Sequence, residues 1–144
     1  AALVTQSLER CGLNAQVVVG DAVDLCAQYG PFDRIVLDAP CSGLGTLRRH
    51  PEIGYRYRLR SLNDSAKTQS RLLAAALEAL SPGGFLVYSV CSLEPEEGEA
   101  VILGALTRGD VELVDDPRLP GGQGCLGLDG DGDGFFVAIL EKIR

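Results

Sequence analysis

The chain contains no methionine, a single histidine, and no apolar run approaching the length of a membrane span. A helix crossing a bilayer needs about 20 consecutive apolar residues, so no such segment is expected, and no basic-then-apolar leader opens the chain. A cytoplasmic protein is the expectation. The one histidine, His50, precedes Pro51 in a polar stretch and reads as a loop residue, with a catalytic base as the alternative. Proteolysis by a Cys–His pair therefore has no well-placed base. Repeats and linkers are also missing, and 144 residues amount to one domain. Five cysteines is an odd number, so at least one thiol is unpaired within the chain. Their spacing fits neither a zinc pattern nor a small disulfide scaffold. No metal is expected, and Cys11, Cys26 and Cys125 read as packing residues.

The organising stretch runs from Phe32 to Gly45. Arg34 to Leu37 reads as the end of a buried strand, after which Asp38-Ala-Pro-Cys41-Ser-Gly turns abruptly. In open α/β sheets reactive groups sit just past the carboxyl ends of strands, where Asp38 and Cys41 would face a crevice. A strand followed by a polar turn with an incidental thiol is the plainer reading. A second stretch of the same design argues against it. Gly83-Gly84 is followed by the apolar strand Phe85 to Val90, then Cys91, with Pro95 opening a helix four residues later. Neighbouring strands of a parallel sheet lie about 4.8 Å apart, which would bring Cys41 and Cys91 out side by side at one edge.

In chain order, helical spacing over Leu3 to Cys11 ends at Gly12. Gln16 to Val19 reads as a short strand ended by Gly20-Asp21. Asp21 either caps the helix that begins near Ala22 or contacts a small ligand. Thr46 to Leu62 reads as a loop with one short helix. Asn63 or Asp64 would cap a helix running to Leu80 that buries Leu72, Leu73, Ala76 and Leu77, and Ser81-Pro82-Gly83-Gly84 breaks it. Phe85 to Val90, apolar on both sides, is expected to be covered on each face. Pro95 suits a first helical position, and Glu94, Glu96, Glu97 and Glu99 read as charges complementing the helix dipole. Val111 to Val114 is a strand, Asp115 to Gly124 a loop, and Phe135 to Leu140 a final antiparallel strand. The intervening Asp129 to Gly134 fails a calcium-loop template, whose twelfth position falls on Leu140 rather than Glu.

The net charge of −7 argues against nucleic acid until its distribution is considered. Arg48, Arg49, Arg56, Arg58 and Arg60 are opposed only by Glu52, a local +4 that leaves the rest of the chain at −11. With Tyr55 and Tyr57 interleaved, this strip suits a phosphate backbone with bases to stack on. The bland alternative is a solvated loop whose arginines pair with acids elsewhere.

The element order describes a doubly wound α/β fold with Cys41, Cys91, Asp38 and Asp21 at its crevice. Thiols fifty residues apart do not suit a disulfide oxidoreductase. Methylation at carbon 5 of a pyrimidine does need such a set: that carbon becomes nucleophilic only after a thiolate adds at carbon 6, and elimination must follow. A carboxylate on the base edge would stabilise the developing charge.

Asp38-Ala-Pro-Cys41-Ser-Gly-x-Gly with Arg48-Arg49-His50-Pro51, Tyr88-Ser-Val-Cys91-Ser-x-x-Pro95-Glu96-Glu97, and Asp133-Gly-Phe-Phe136 together resemble the Sun/Fmu-type (Nol/Nop/Sun) RNA cytosine-5 methyltransferases over nearly the whole chain. The resemblance implies a Rossmann-like sheet, S-adenosylmethionine as methyl donor, and structured, often ribosomal, RNA as substrate. It implies Cys91 as covalent nucleophile, Cys41 as the group assisting product release, Asp38 as holder of the target base near the donor, and Asp21 beside the adenosine. Arg48, Arg49, Arg56 and Arg58 would contact RNA. Val90 and Gly98 stand where the family more often has Thr and Asn. The family's glycine-rich donor loop and the acid ending its second strand have no counterpart here. Together with the missing methionine, this leads to the expectation that residues 1–144 form the carboxyl-terminal part of one methyltransferase domain, lacking the first two strands and doubtful in activity alone. A non-catalytic RNA-binding or interaction module on the same fold is the alternative, and a redox-sensing thiol pair a third.

Overall fold

The computed structural model describes residues 2–56, 59–127 and 132–144, and for residues 56 and 59–61 it describes the backbone path. Tyr57, Arg58 and the Asp129–Asp131 part of the acidic glycine stretch lie outside the described residues, as do the side chains of Arg56 and Arg60. The elements in order are α1 (Ala2–Arg10), α2 (Ala22–Tyr29), β1 (Phe32–Asp38), α3 (Glu52–Arg56), α4 (Leu59–Glu78), β2 (Leu80–Val90), α5 (Glu99–Leu106), β3 (Val111–Leu113), β4 (Gln123–Leu126) and β5 (Phe135–Lys142). A 3-10 turn over Leu44–Thr46 precedes α3, and another over Pro120–Gly122 precedes β4.

The sheet is open and mixed. Its order is β1-β2-β5-β3, with β4 sharing the outer edge of β5. β1 and β2 are parallel, whereas β5 runs antiparallel to β2, β3 and β4. Register aligns Ile35, Leu86 and Leu140 in one row and Leu37, Tyr88 and Ala138 in the next. These rows face α4 and α5 and form the core with Leu73, Leu77, Val101, Ile102 and Phe136. On the opposite face, Val36, Val87 and Ile139 form a row in which Val36 is 76% exposed and the other two are half-buried. The expected cover on both faces of β2 is thus present on one only. Leu3, Val4 and Leu13 also remain exposed, because α1 has no buried residue.

Several boundaries differ from expectation. Gln16 to Val19 forms no strand: residues 13–19 are irregular and Val19 is 78% exposed, since an extended segment without a partner makes no ladder bonds. α4 begins at Leu59, a turn before Asn63, because buried Leu62 extends the inward-facing stripe that continues through Ala66, the polar Gln69 and Leu73. The Ser81–Gly84 breaker lies inside β2 rather than before it, looped out where the ladder jumps from the Phe32–Leu80 pair to the Arg34–Phe85 pair. At the other end of the 115–124 loop, β4 starts at Gln123, where β5 has an unpaired edge to fill. Cys11 is exposed with α1, whereas Cys26 and Cys125 pack against the core.

Lys142 ties the end of β5 to the end of α4. Its Nζ donates to the carbonyls of Leu77, Glu78 and Leu80 at 2.9, 3.3 and 2.8 Å, satisfying acceptors that a helix terminus leaves open. At the opposite end of the sheet the chain after β1 crosses beneath two other segments. Gly45 N–H donates to the Cys91 carbonyl at 3.0 Å, and the Gly45 carbonyl accepts from Gly134 N–H at 2.8 Å. A Cβ at Gly45 would run into the Gly134 carbonyl, so no other residue fits this crossing. Gly45→Ala is expected to lower unfolding stability by about 2–4 kcal/mol in urea titration. Gly104→Ala, in α5 with open space around its Cβ position, should instead stabilise by about 0.5–1 kcal/mol.

Candidate active site

The register of β1 and β2 levels their carboxyl ends: Asp38 pairs with Ser89, whose hydroxyl donates to Asp38 Oδ1 at 3.1 Å. Ala39 N–H still bonds the Ser89 carbonyl at 3.0 Å, after which the chain leaves the sheet. Two residues past Ser89 on one strand and three past Asp38 on the other, the sulfurs of Cys91 and Cys41 meet at 3.1 Å as free thiols, both half-buried. The expected pairing of two strand-end thiols beside an exposed Asp38 is therefore what the fold brings together. Burial, reinforced by the hydrogen bond with Cys91, pushes the Cys41 thiol up to about 12. A cleft of about 340 Å³ opens on Cys41, lined by Pro40, Asp64, Ser65 and Thr68.

Beneath the sulfurs lies a polar layer that the motif reading missed. Glu97 is fully buried. It accepts from Ser42 N–H at 2.8 Å, from the Ser42 hydroxyl at 2.6 Å, and from Gln69 Nε2 at 3.1 Å. Gln69 also donates to the Pro40 carbonyl at 2.9 Å. The Ser92 hydroxyl lies 3.3 Å from that of Ser42 and accepts from Glu94 N–H at 3.2 Å. Tyr88 O–H donates to the Glu97 carbonyl at 2.7 Å, and burial, then the Glu97 carboxylate, pushes the Tyr88 phenol up. Glu97 is thus no helix-end charge. Residues 95–98 form a turn that points Glu97 inward, and α5 starts only at Glu99. The Cys–Ser pair common to both motifs is the sequence signal for this layer. For Glu97 a row of glutamates conceals which one faces the interior.

Asp21 lies at the start of α2 as its N-cap, accepting from Val23 N–H at 2.9 Å while its second oxygen accepts from Arg71 at 3.3 Å. Arg48 and Arg49 are exposed after the 3-10 turn that follows Cys41. Arg49 forms an ion pair with Asp133, which holds the Asp133 carboxyl below the usual carboxylate range. The strip's pairing with acids elsewhere is thereby realised at Arg49. His50 lies exposed, its Nδ1 3.2 Å from Glu52, away from the bonds that hold the two thiols.

Such a thiol pair at the carboxyl ends of adjacent parallel strands can be compared with known proteins. A profile described as "16S rRNA methyltransferase RsmB/F" matches residues 1–141. The chain belongs to this RsmB/F family. Ribosomal RNA small subunit methyltransferase B of Enterobacter sp. (strain 638) is 42% identical over 144 residues, covering 96% of the chain and 33% of the relative. The protein of the same name from Vibrio cholerae is 42% identical over 143 residues, with the same coverage. The chain therefore spans about a third of the length of these RsmB/F relatives. Among solved structures, a methyltransferase homologue from Pyrococcus horikoshii superposes with a TM-score of 0.82 at 34% identity, covering 98% of the chain and 49% of that protein. NSun6 from Pyrococcus horikoshii with SFG superposes at 0.83 and 30% identity, covering 97% and 38%.

The elevated Cys41 thiol has a measurable consequence. An ordinary thiol titrates near 8.5, so its alkylation rate levels off above about pH 9. Labelling of Cys41 by iodoacetamide, followed by peptide mass spectrometry, should instead still be climbing at pH 10.

Proposed function

We propose that the chain is the catalytic part of a cytoplasmic methyltransferase that modifies carbon 5 of a cytosine in ribosomal RNA through a covalent Cys91 adduct. The observation that carries this reading is the 3.1 Å approach of the Cys41 and Cys91 sulfurs at the rim of two adjacent parallel strands, with Asp38 beside them.

The Cys91 thiolate adds to carbon 6 of a cytosine held outside its stack, and carbon 5 gains enamine character. Asp38 keeps one oxygen on Ser89 and is otherwise exposed, so it can accept from the exocyclic amine of the base and favour the charge that builds on the ring. After methylation, the proton on carbon 5 must leave and the Cys91–carbon 6 bond must break. Cys41, in contact with Cys91 and held largely as the thiol, is placed to give its proton to the departing Cys91 sulfur and, as the thiolate so formed, to take the proton from carbon 5. The cleft on Cys41, with Asp64, Ser65 and Thr68 along its wall, offers polar groups to the nucleotide. S-adenosylmethionine, when bound, supplies the electrophilic methyl group. The exposed strand-end carboxylate of Asp38 and the Asp21 cap suit it in kind and would hold its polar groups. Arg48 and Arg49, with Arg56 and Arg58 further along the strip, would track the RNA backbone.

In a version extended to the length of its relatives, Cys91→Ala is expected to reduce methyl transfer by at least about a thousandfold, since little beyond binding survives loss of a nucleophile. Cys41→Ala should retain adduct formation but block release, leaving an RNA–protein complex that survives denaturing electrophoresis. Full function in Cys91→Ala would instead mark a non-catalytic RNA-binding module. Calorimetric titration of S-adenosylmethionine into the 144-residue chain should give weak or no binding, because the residues suited to the donor are few. Micromolar affinity would mean that the remaining length of the relatives is dispensable for donor binding.

A further inference from the structure

Strand pairing brings the backbones of β1 and β2 level only as far as Ala39, whose N–H makes the last bond to the Ser89 carbonyl. The chain is next fixed to the β2 exit at Gly45, on the Cys91 carbonyl. Cys41 sits midway along this span. The bonds that hold it there come from buried side chains rather than from the sheet: Gln69 on the Pro40 carbonyl, and Glu97 on both the N–H and the hydroxyl of Ser42. Ser92, the residue following the other cysteine, places its hydroxyl 3.3 Å from that of Ser42. Each thiol is thus followed by a serine; the two hydroxyls lie side by side, and that of Ser42 rests on the Glu97 carboxylate.

We propose that Glu97 is a positioning residue that, through Ser42 and with Ser92 beside it, clamps the two strand-exit turns together and sets the distance between the Cys41 and Cys91 sulfurs. The Glu97 carboxylate touches neither sulfur in any of its hydrogen bonds; it acts through Ser42. The carboxylate holds α4 through Gln69 and the β1 exit through Ser42, and the backbone carbonyl of the same residue accepts from Tyr88 of β2. A buried carboxylate that takes donors from two elements fixes their relative positions, because displacing either one leaves a buried polar group unpaired. The inference rests on the proposed roles of Cys91 and Cys41 only for its consequence in catalysis; the clamp itself concerns thiol geometry.

That geometry can be read without RNA or methyl donor. In glutathione redox buffers two protein thiols give one Cys41–Cys91 disulfide while one glutathione disulfide is reduced to two glutathiones, and the equilibrium reports the effective concentration of one thiol at the other. Peptide mass spectrometry quantifies the disulfide. Ser42→Ala and Glu97→Met should each lower that effective concentration by about tenfold or more, the effect of losing a hydrogen bond to a buried carboxylate. Ser42→Thr, which keeps the hydroxyl, should return it. An unchanged effective concentration in folded Ser42→Ala and Glu97→Met overturns the proposal. If Glu97→Met does not fold, the Ser42→Ala and Ser42→Thr pair carries the same test. In the extended version with RNA, the clamp predicts that Ser42→Ala slows release of the covalent adduct more than its formation, whereas equal slowing of both steps counts against it. Absence of adduct in the unmodified protein, with the effective concentration still dependent on Ser42, would defeat the functional reading and leave the clamp standing.

Discussion

Parallel pairing of β1 with β2 is the constraint from which the rest of the site follows. Two parallel strands in register end at the same level, and residues just beyond their ends share one rim. Asp38 opposite Ser89 is the last rung of that ladder, and the cysteines come out immediately above it. Shifting the register by one residue would exchange the faces of β1, turning Ile35 and Leu37 away from the core and exposing them in place of Val36. The apolar packing of the sheet on α4 and α5 therefore holds the thiol pair in place from a distance.

Above the ladder a different kind of force takes over. The turn after β1 is too irregular for strand hydrogen bonds and is carried by a buried carboxylate, a buried glutamine and two hydroxyls. Groups of this kind are unfavourable inside a protein unless each finds partners, and that requirement gives the turn a single geometry where apolar packing would tolerate several. Gly45 adds a steric condition at the same place, threading the chain between the Cys91 carbonyl and Gly134. Through Gly134 and the Arg49–Asp133 pair, the entry to β5 is drawn into the same assembly, so three stretches far apart in sequence meet within one layer.

The bare side of the sheet shows how local sequence and tertiary context differ in reach. Val87, Val137 and Ile139 have the composition of strands covered on both faces, yet they are half-buried and Val36 beside them is open. The same applies to Gln16–Val19, whose β-branched run has strand character but no neighbour to pair with. Propensity is a property of the residues; a ladder needs a second strand.

Much of the architecture was readable in advance because it rests on short-range rules. Apolar runs flanked on one side by glycine or proline located β1, β2 and β5, a 3.6-residue stripe located α4, and Asp21 took its place as a cap beside α2. The Asp38–Cys41 and Cys91 motifs, being strand ends, were legible for the same reason. What only the tertiary structure decided is which of several equivalent-looking residues turns inward. Among the glutamates from Glu94 to Glu99, Glu97 alone is buried, and the two serines that follow the cysteines become the joint between the strand exits. Linear sequence carries the chemistry of each side chain and the period of each element. The selection of one buried acid among neighbours is set by donors 55 and 28 residues away, which only the folded chain brings within hydrogen-bonding distance.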